Sequence, residues 1–136
     1  MKAILYLTVT IFCLSLAGCA SGDKKDILKQ AYTVHLEAFA IAEDLEKTLL
    51  SLRQKHQDSV SVVEIDSLNK LIRLWEEAVV EVPGFEHQHG HAGHHDHKPA
   101  PQMTEPSMLD YQIRAREAII SVKAQVDALE KKIEQP

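Results

Sequence analysis

Three segments of the chain repeat one pattern, in which apolar residues are spaced alternately four and three positions apart. This is the period of an α-helix that packs along a seam. The first run is Ile27, Ala31, Val34, Ala38, Ile41, Leu45, Thr48 and Leu52, apolar except at Thr48. Leu28, Ala42 and Leu49 fill the adjacent column, and Tyr32 and Phe39 the next. An arc that wide predicts a helix over residues 24–57 that touches two neighbours, since a single partner needs only a narrow seam. The second run, Ile65, Leu68, Ile72, Trp75 and Val79 with Leu71, Leu74 and Ala78 beside it, predicts a helix over 61–82. Ser61 and Glu64 have the spacing of a capping box, and Val60 and Ile65 stand where a hydrophobic staple would close. Val82-Pro83-Gly84 ends this helix, because proline disfavours helix in the residue before it and glycine takes the left-handed conformation freely. The third run, Ala115, Ile119, Val122, Val126, Leu129 and Ile133, predicts a helix over 105–135 that starts between Thr104 and Ser107.

These elements predict an all-α fold, an antiparallel three-helix bundle. The short turn near residues 57–60 makes the first two helices a hairpin, and the third packs back after a long, flexible, His-rich loop over residues 83–104. That loop exceeds the roughly 2–8 residues usual between bundle helices, which points to a functional excursion. The bland reading of all three stripes is core packing; binding to a lipid surface is disfavoured by the acidic balance of the chain.

The first eighteen residues read as a signal that is removed. Lys2 supplies a positive charge and residues 4–16 (ILYLTVTIFCLSL) an apolar run too short to span a bilayer, which takes about 20 residues. The run closes on Leu16-Ala17-Gly18-Cys19, which resembles the lipobox of bacterial lipoproteins. The resemblance implies a signal peptide over residues 1–18, cleavage before Cys19, diacylglycerol on its thiol and acylation of the new amine. Several acyl chains on one residue make a stable membrane anchor. Residues 19–23 then form a lipidated tether, and 24–136 the helical domain. Ala20 follows the cysteine where the proteobacterial sorting rule places aspartate for inner-membrane retention. The expectation is therefore the cell envelope, at the outer membrane, facing the periplasm or the exterior.

Removing the signal also settles the thiols. Cys13 leaves with it and Cys19 becomes a thioether, so the mature chain has no disulfide, thiol catalysis or cysteine-ligated metal. With Lys2 gone, 14 basic residues stand against 20 acidic ones, a formal charge of −6. The two signs are mixed along the chain with no basic patch, so no nucleic-acid partner is expected.

One constellation can carry chemistry. Residues 86–98 read Glu-His-Gln-His-Gly-His-Ala-Gly-His-His-Asp-His-Lys, and His87, His89, His91, His94, His95 and His97 put six imidazoles into eleven residues. Imidazole nitrogen suits Zn, Cu, Ni and Co, and short His-rich tracts read as metal-binding. Gly90 and Gly93 let the backbone curl so that several rings can meet one ion. Glu86 and Asp96 are auxiliary candidates, as an oxygen ligand or as partners that orient a ring through its second nitrogen. The spacing is loose, as buffering needs. Two alternatives stand beside this one: a solvated linker, and a pH-responsive element whose six groups, with unperturbed pKa of about 6.5, charge on mild acidification.

The other candidates read as structural. His35 lies between Leu28 and Ala42 in the column beside the seam, a bundle histidine with a local hydrogen bond. His56 sits near a helix end, where a cationic ring complements the dipole. Glu76 and Glu77 read as a solvated face. No nucleophile–base arrangement, Gly-rich phosphate loop or HExxH occurs, and the chain is read as a non-enzyme.

From Trp75-Glu76-Glu77 through Glu81-Val82-Pro83-Gly84-Phe85-Glu86-His87 into the His-rich loop, the chain resembles small lipoproteins of Bacteroidota over about residues 65–130. That resemblance supports the architecture and carries no activity with it. The expected function is a membrane-anchored lipoprotein that binds transition-metal ions through the His-rich loop, for buffering, sequestration or hand-over. Its partners would be the membrane, through the lipid, and a metal transporter or another envelope protein. The alternative is a structural or protein-interaction lipoprotein whose His-rich linker is incidental.

Overall fold

The computed structural model describes residues 20–56, 59–85 and 100–134. Among the described residues the chain is all-α, with three helices that each pack on the other two: α1 (Ala20–Lys55), α2 (Ser59–Ala78) and α3 (Glu105–Glu134). The largest interface is between α1 and α3. Among the described residues no helix is long and apolar enough to cross a membrane.

The seam of α1 is rotated from its expected line. Ala31, His35, Ala38, Ala42, Leu45, Leu49 and Leu52 are buried, whereas Val34, Ile41 and Thr48 are only partly covered. Both lines share Ala31, Ala38, Leu45 and Leu52. A helix wedged between two partners buries the middle of its apolar arc, and that middle runs through the column of Ala42 and Leu49.

On α2 the stripe of Ile65, Leu68, Ile72, Trp75 and Val79 is buried as expected, but its flank is not. Leu71 and Leu74 remain 41% and 49% exposed. Glu76 is buried instead of lying on a solvated face. It stands four residues after Ile72 and three before Val79, which puts it on the core side of the helix. The helix starts at Ser59, so Ser61 lies inside its first turn and not at the cap. Val60 is 63% exposed and closes no staple on Ile65, and Glu64 accepts a hydrogen bond from Lys132 Nζ at 2.6 Å.

The third stripe holds and extends backwards. Met108 and Gln112 join Ala115, Ile119, Val126 and Leu129 in the buried set. Thr104 is the cap of α3, its Oγ1 accepting the Ser107 backbone N–H at 3.3 Å. Pro106 follows in the first turn, where its missing N–H costs no helical bond.

Most of the buried side chains form one apolar cluster that runs from Ala38 and Phe39 to Leu52, Ile65 and Leu129. Exposed ion pairs tie the helices at its rim. Arg53 meets Asp66 at 2.6 Å, and Arg116 meets Glu37 at 2.5 Å. Within helices, Glu43 lies 2.6 Å from Lys47, and its hydrogen bond raises the lysine pKa; Asp127 raises that of Lys123 in the same way. Such exposed pairs contribute little to stability.

Candidate functional site at the root of the His-rich segment

Helix α2 ends at Ala78, four residues short of the expected boundary at residue 82, and side chains of α3 end it. The Tyr111 hydroxyl donates to the Ala78 carbonyl at 3.0 Å and accepts the Val80 N–H at 3.2 Å. One phenol thus satisfies a carbonyl left open at the helix end and the first N–H that has left the ladder. Gln112 Nε2 donates to the Val80 carbonyl at 2.8 Å, with Met108 Sδ at 3.6 Å as a weaker acceptor. Trp75 Nε1 donates to the Ala115 carbonyl at 2.8 Å. Four groups near the end of α2 are therefore held by polar bonds to α3.

Gln112 also reaches α1. Its Oε1 lies 3.1 Å from His35 Nδ1, and both side chains are buried, His35 2% and Gln112 0% exposed. The Val80 carbonyl can only accept, so it fixes the amide with Nε2 toward Val80 and Oε1 toward His35. That in turn makes His35 Nδ1 the donor. His35 is thus a bundle histidine, as its position implied, and the partner of its Nδ1, Gln112, lies 77 residues away.

Beyond Ala78 the chain turns and packs. Val80 and Val82 are buried with Ala31 and Met108 in a second apolar cluster. Val82-Pro83-Gly84-Phe85 is a hydrogen-bonded turn, Phe85 N to Val82 O at 3.3 Å, with Gly84 at φ +83°. A type II turn requires a positive φ at its third residue, which Gly84 supplies, and favours proline at its second. The turn seats Phe85 face to face on Tyr32, ring centroids 4.5 Å apart. Tyr32, His35, Phe39 and Trp75 continue this ring contact inward at spacings of 6.3, 4.7 and 5.1 Å. On the far side of residues 86–99, Ala100 and Met103 pack against the same second cluster. The described parts of the expected loop, 83–85 and 100–104, are thus partly built into the bundle.

The six histidines His87, His89, His91, His94, His95 and His97, their auxiliaries Glu86 and Asp96, and the lipidation site Cys19 all lie outside the described residues. Among the described residues no group of three or more His, Cys, Asp or Glu side chains converges as a metal site would require. His35 joins the polar cluster through its Nδ1 bond to Gln112, and His56 lies just beyond α1 with its backbone N–H bonded to the Leu52 carbonyl at 2.9 Å. Chemically the cluster positions: it fixes the Gln112 amide, the donor nitrogen of His35 and the backbone of residues 78–82.

Sequence reasoning missed Tyr111, Gln112 and Met108. The signal for two of them was present, since continuing the 4–3 spacing of α3 backwards from Ala115 passes through Gln112 and Met108. Tyr111 lies off that line and had no local signal. Compared with known proteins, the chain matches no family model, no curated protein and no solved structure.

Proposed function

We propose that the protein is a non-enzymatic lipoprotein of the bacterial cell envelope, anchored at the outer membrane through Cys19. Its helices form an antiparallel bundle, and its His-rich segment binds Zn, Cu, Ni or Co for buffering, sequestration or hand-over. The ion pairs of Arg53 with Asp66 and Lys132 with Glu64 support the antiparallel arrangement of α2 against both neighbours.

The observation that carries the metal reading is the density of imidazoles between two ends that are already together. Phe85 and Ala100, which flank the 14 residues 86–99, pack against one cluster. Holding the two flanks together in advance lowers the entropy cost of gathering several side chains from between them on one ion. A metal transporter or another envelope protein is the fitting recipient for hand-over. The second reading, an interaction lipoprotein, draws support from the exposed apolar residues of α2.

Titration calorimetry at neutral pH tests the metal reading. Zn²⁺, Cu²⁺ or Ni²⁺ binds the chain, and replacing the six loop histidines by Asn or Gln abolishes binding while helicity is retained. Acidification below about pH 5 releases the ion, because ligand imidazoles must be neutral. If the intact chain binds none of the three ions, the reading is wrong. The anchor is tested separately: Cys19→Ser abolishes lipid labelling and membrane association, and a membrane-bound, processed Cys19→Ser protein would refute it.

A further inference from the structure

The exposed apolar residues of α2 form a line. Val60, Val63, Ser67, Leu71 and Leu74 recur at helical spacing along one side of the helix, with Val60 and Val63 63% and 64% exposed. The line is symmetric about Ser67: Val63 and Leu71 stand four residues to either side, and Val60 and Leu74 seven. A two-fold axis beside Ser67 would therefore lay a second α2 along the first in the opposite direction with every apolar position matched. Val63 would face the second copy's Leu71, and Val60 its Leu74. Each pair joins a smaller side chain to a larger one, as interdigitating layers require.

We propose that this face of α2 is a two-fold interface between two copies of the chain. Three features of the helix fit that occupant. Ser67, at the crossing, is small, and its Oγ already donates to the Val63 carbonyl at 2.9 Å, so covering it strands no donor. Asp66 and Lys70 flank the line on one side, one turn apart, and flanks on the same side meet in an antiparallel pair. Lys70 of each copy then comes within about half a turn, roughly 3 Å along the axis, of Asp66 of the other, and Asp66, which already accepts from Arg53, has further lone pairs to offer. Beside the line, between α2 and α3, runs a cleft of about 440 Å³ lined by Val63, Ser67, Leu71, Gln125 and Ala128, open to side chains of the second copy. The interface uses no residue of the His-rich segment, so it stands or falls independently of the metal reading.

Cysteine cross-linking of the full chain in intact cells reads the register directly, with the parent chain, which carries Cys13 and Cys19, as the background. A disulfide needs Cα atoms about 4.4–6.8 Å apart, so only residues facing each other across the axis will close. Ser67→Cys cross-links to itself. Val63→Cys and Leu71→Cys each stay monomeric alone and cross-link when expressed together. Loss of the loop histidines leaves this pattern unchanged. Charge variants supply a second readout through co-purification of two differently tagged copies. Val63→Glu alone or Leu71→Lys alone weakens association by more than about tenfold, equivalent to about 1.4 kcal/mol, and combining one of each restores it. The proposal is overturned if no variant cross-links above the parent, if Val63→Cys closes on itself, if the cross-link is to a different protein, or if the charge variants leave co-purification unchanged.

Discussion

The two ends of the bundle are held together by different means. At one end Leu49, Leu52, Ile65, Leu68, Val126 and Leu129 pack in the large apolar cluster, and the polar contacts there, Arg53–Asp66 and Lys132–Glu64, are exposed. At the other end the apolar cluster is small and the contacts are directional: His35 to Gln112, Gln112 to Val80 and Trp75 to Ala115 are buried, and Tyr111 bonds Ala78 and Val80 nearer the surface. The difference follows from what each end must do. The first only has to close a hairpin, which apolar burial achieves without regard to direction. The second has to stop a helix early and hold an irregular backbone in one place, and an irregular backbone carries N–H and C=O groups that need defined partners. Phe85 and Ala100, the described residues that flank the His-rich segment, lie at that second end.

The largest expected effect tests the apolar end. Leu49→Ala removes a fully buried side chain from a packed cluster and lowers stability by about 2–5 kcal/mol in denaturant unfolding, depending on how far the site collapses. Its effect on the chemical shifts of residues 79–85 should be slight. A loss well under that range would mean that the hairpin end is not the packed region described above.

Gln112→Leu probes the other end. It leaves the Val80 carbonyl and the His35 Nδ1–H buried without their amide partner, at about 1–3 kcal/mol for each such group; burial of the leucine offsets part of this, so stability falls by about 2–4 kcal/mol. If apolar packing alone held this end, the substitution would be neutral or stabilising, because leucine fills nearly the same space. Measured beside Leu49→Ala, it separates directional from non-directional cohesion.

Tyr111→Phe has the smallest effect and the most local one. Removal of one hydroxyl breaks two bonds, to Ala78 and from Val80, and costs about 1–2 kcal/mol. Relieved of its stop, α2 runs on toward Glu81, and amide exchange at residues 80–82 becomes slower than in the parent. Unchanged exchange there would show that Pro83, and not Tyr111, sets the end of the helix.

How much of this was legible varied with the kind of interaction. The stripe of α2 and that of α3 from Ala115 onward were readable residue by residue, because burial on a regular helix follows its period. The cap at Thr104 was one of several candidates in its neighbourhood and needed the structure to single it out. The seam of α1 was displaced by one column, since a wide apolar arc does not say where two partners will divide it. At the root of the His-rich segment His35 was readable as a bundle histidine, but its partner was not.

Sequence by itself determined the helical character of the three segments, the buried stripes of the second and third, and the placement of the imidazole-rich stretch between those two helices. Each of these depends on residues within a few positions of one another, where spacing and backbone preference act directly. Tertiary structure alone decided that α2 ends at Ala78, that Glu76 is buried while Leu71 and Leu74 are not, and that Gln112 joins α1 to the chain beyond α2. Those outcomes join residues 31 to 77 positions apart, such as Val80 with Tyr111 and His35 with Gln112. No local preference can encode such a pairing, because the cost of leaving a buried polar group without a partner appears only once the helices have packed and excluded water.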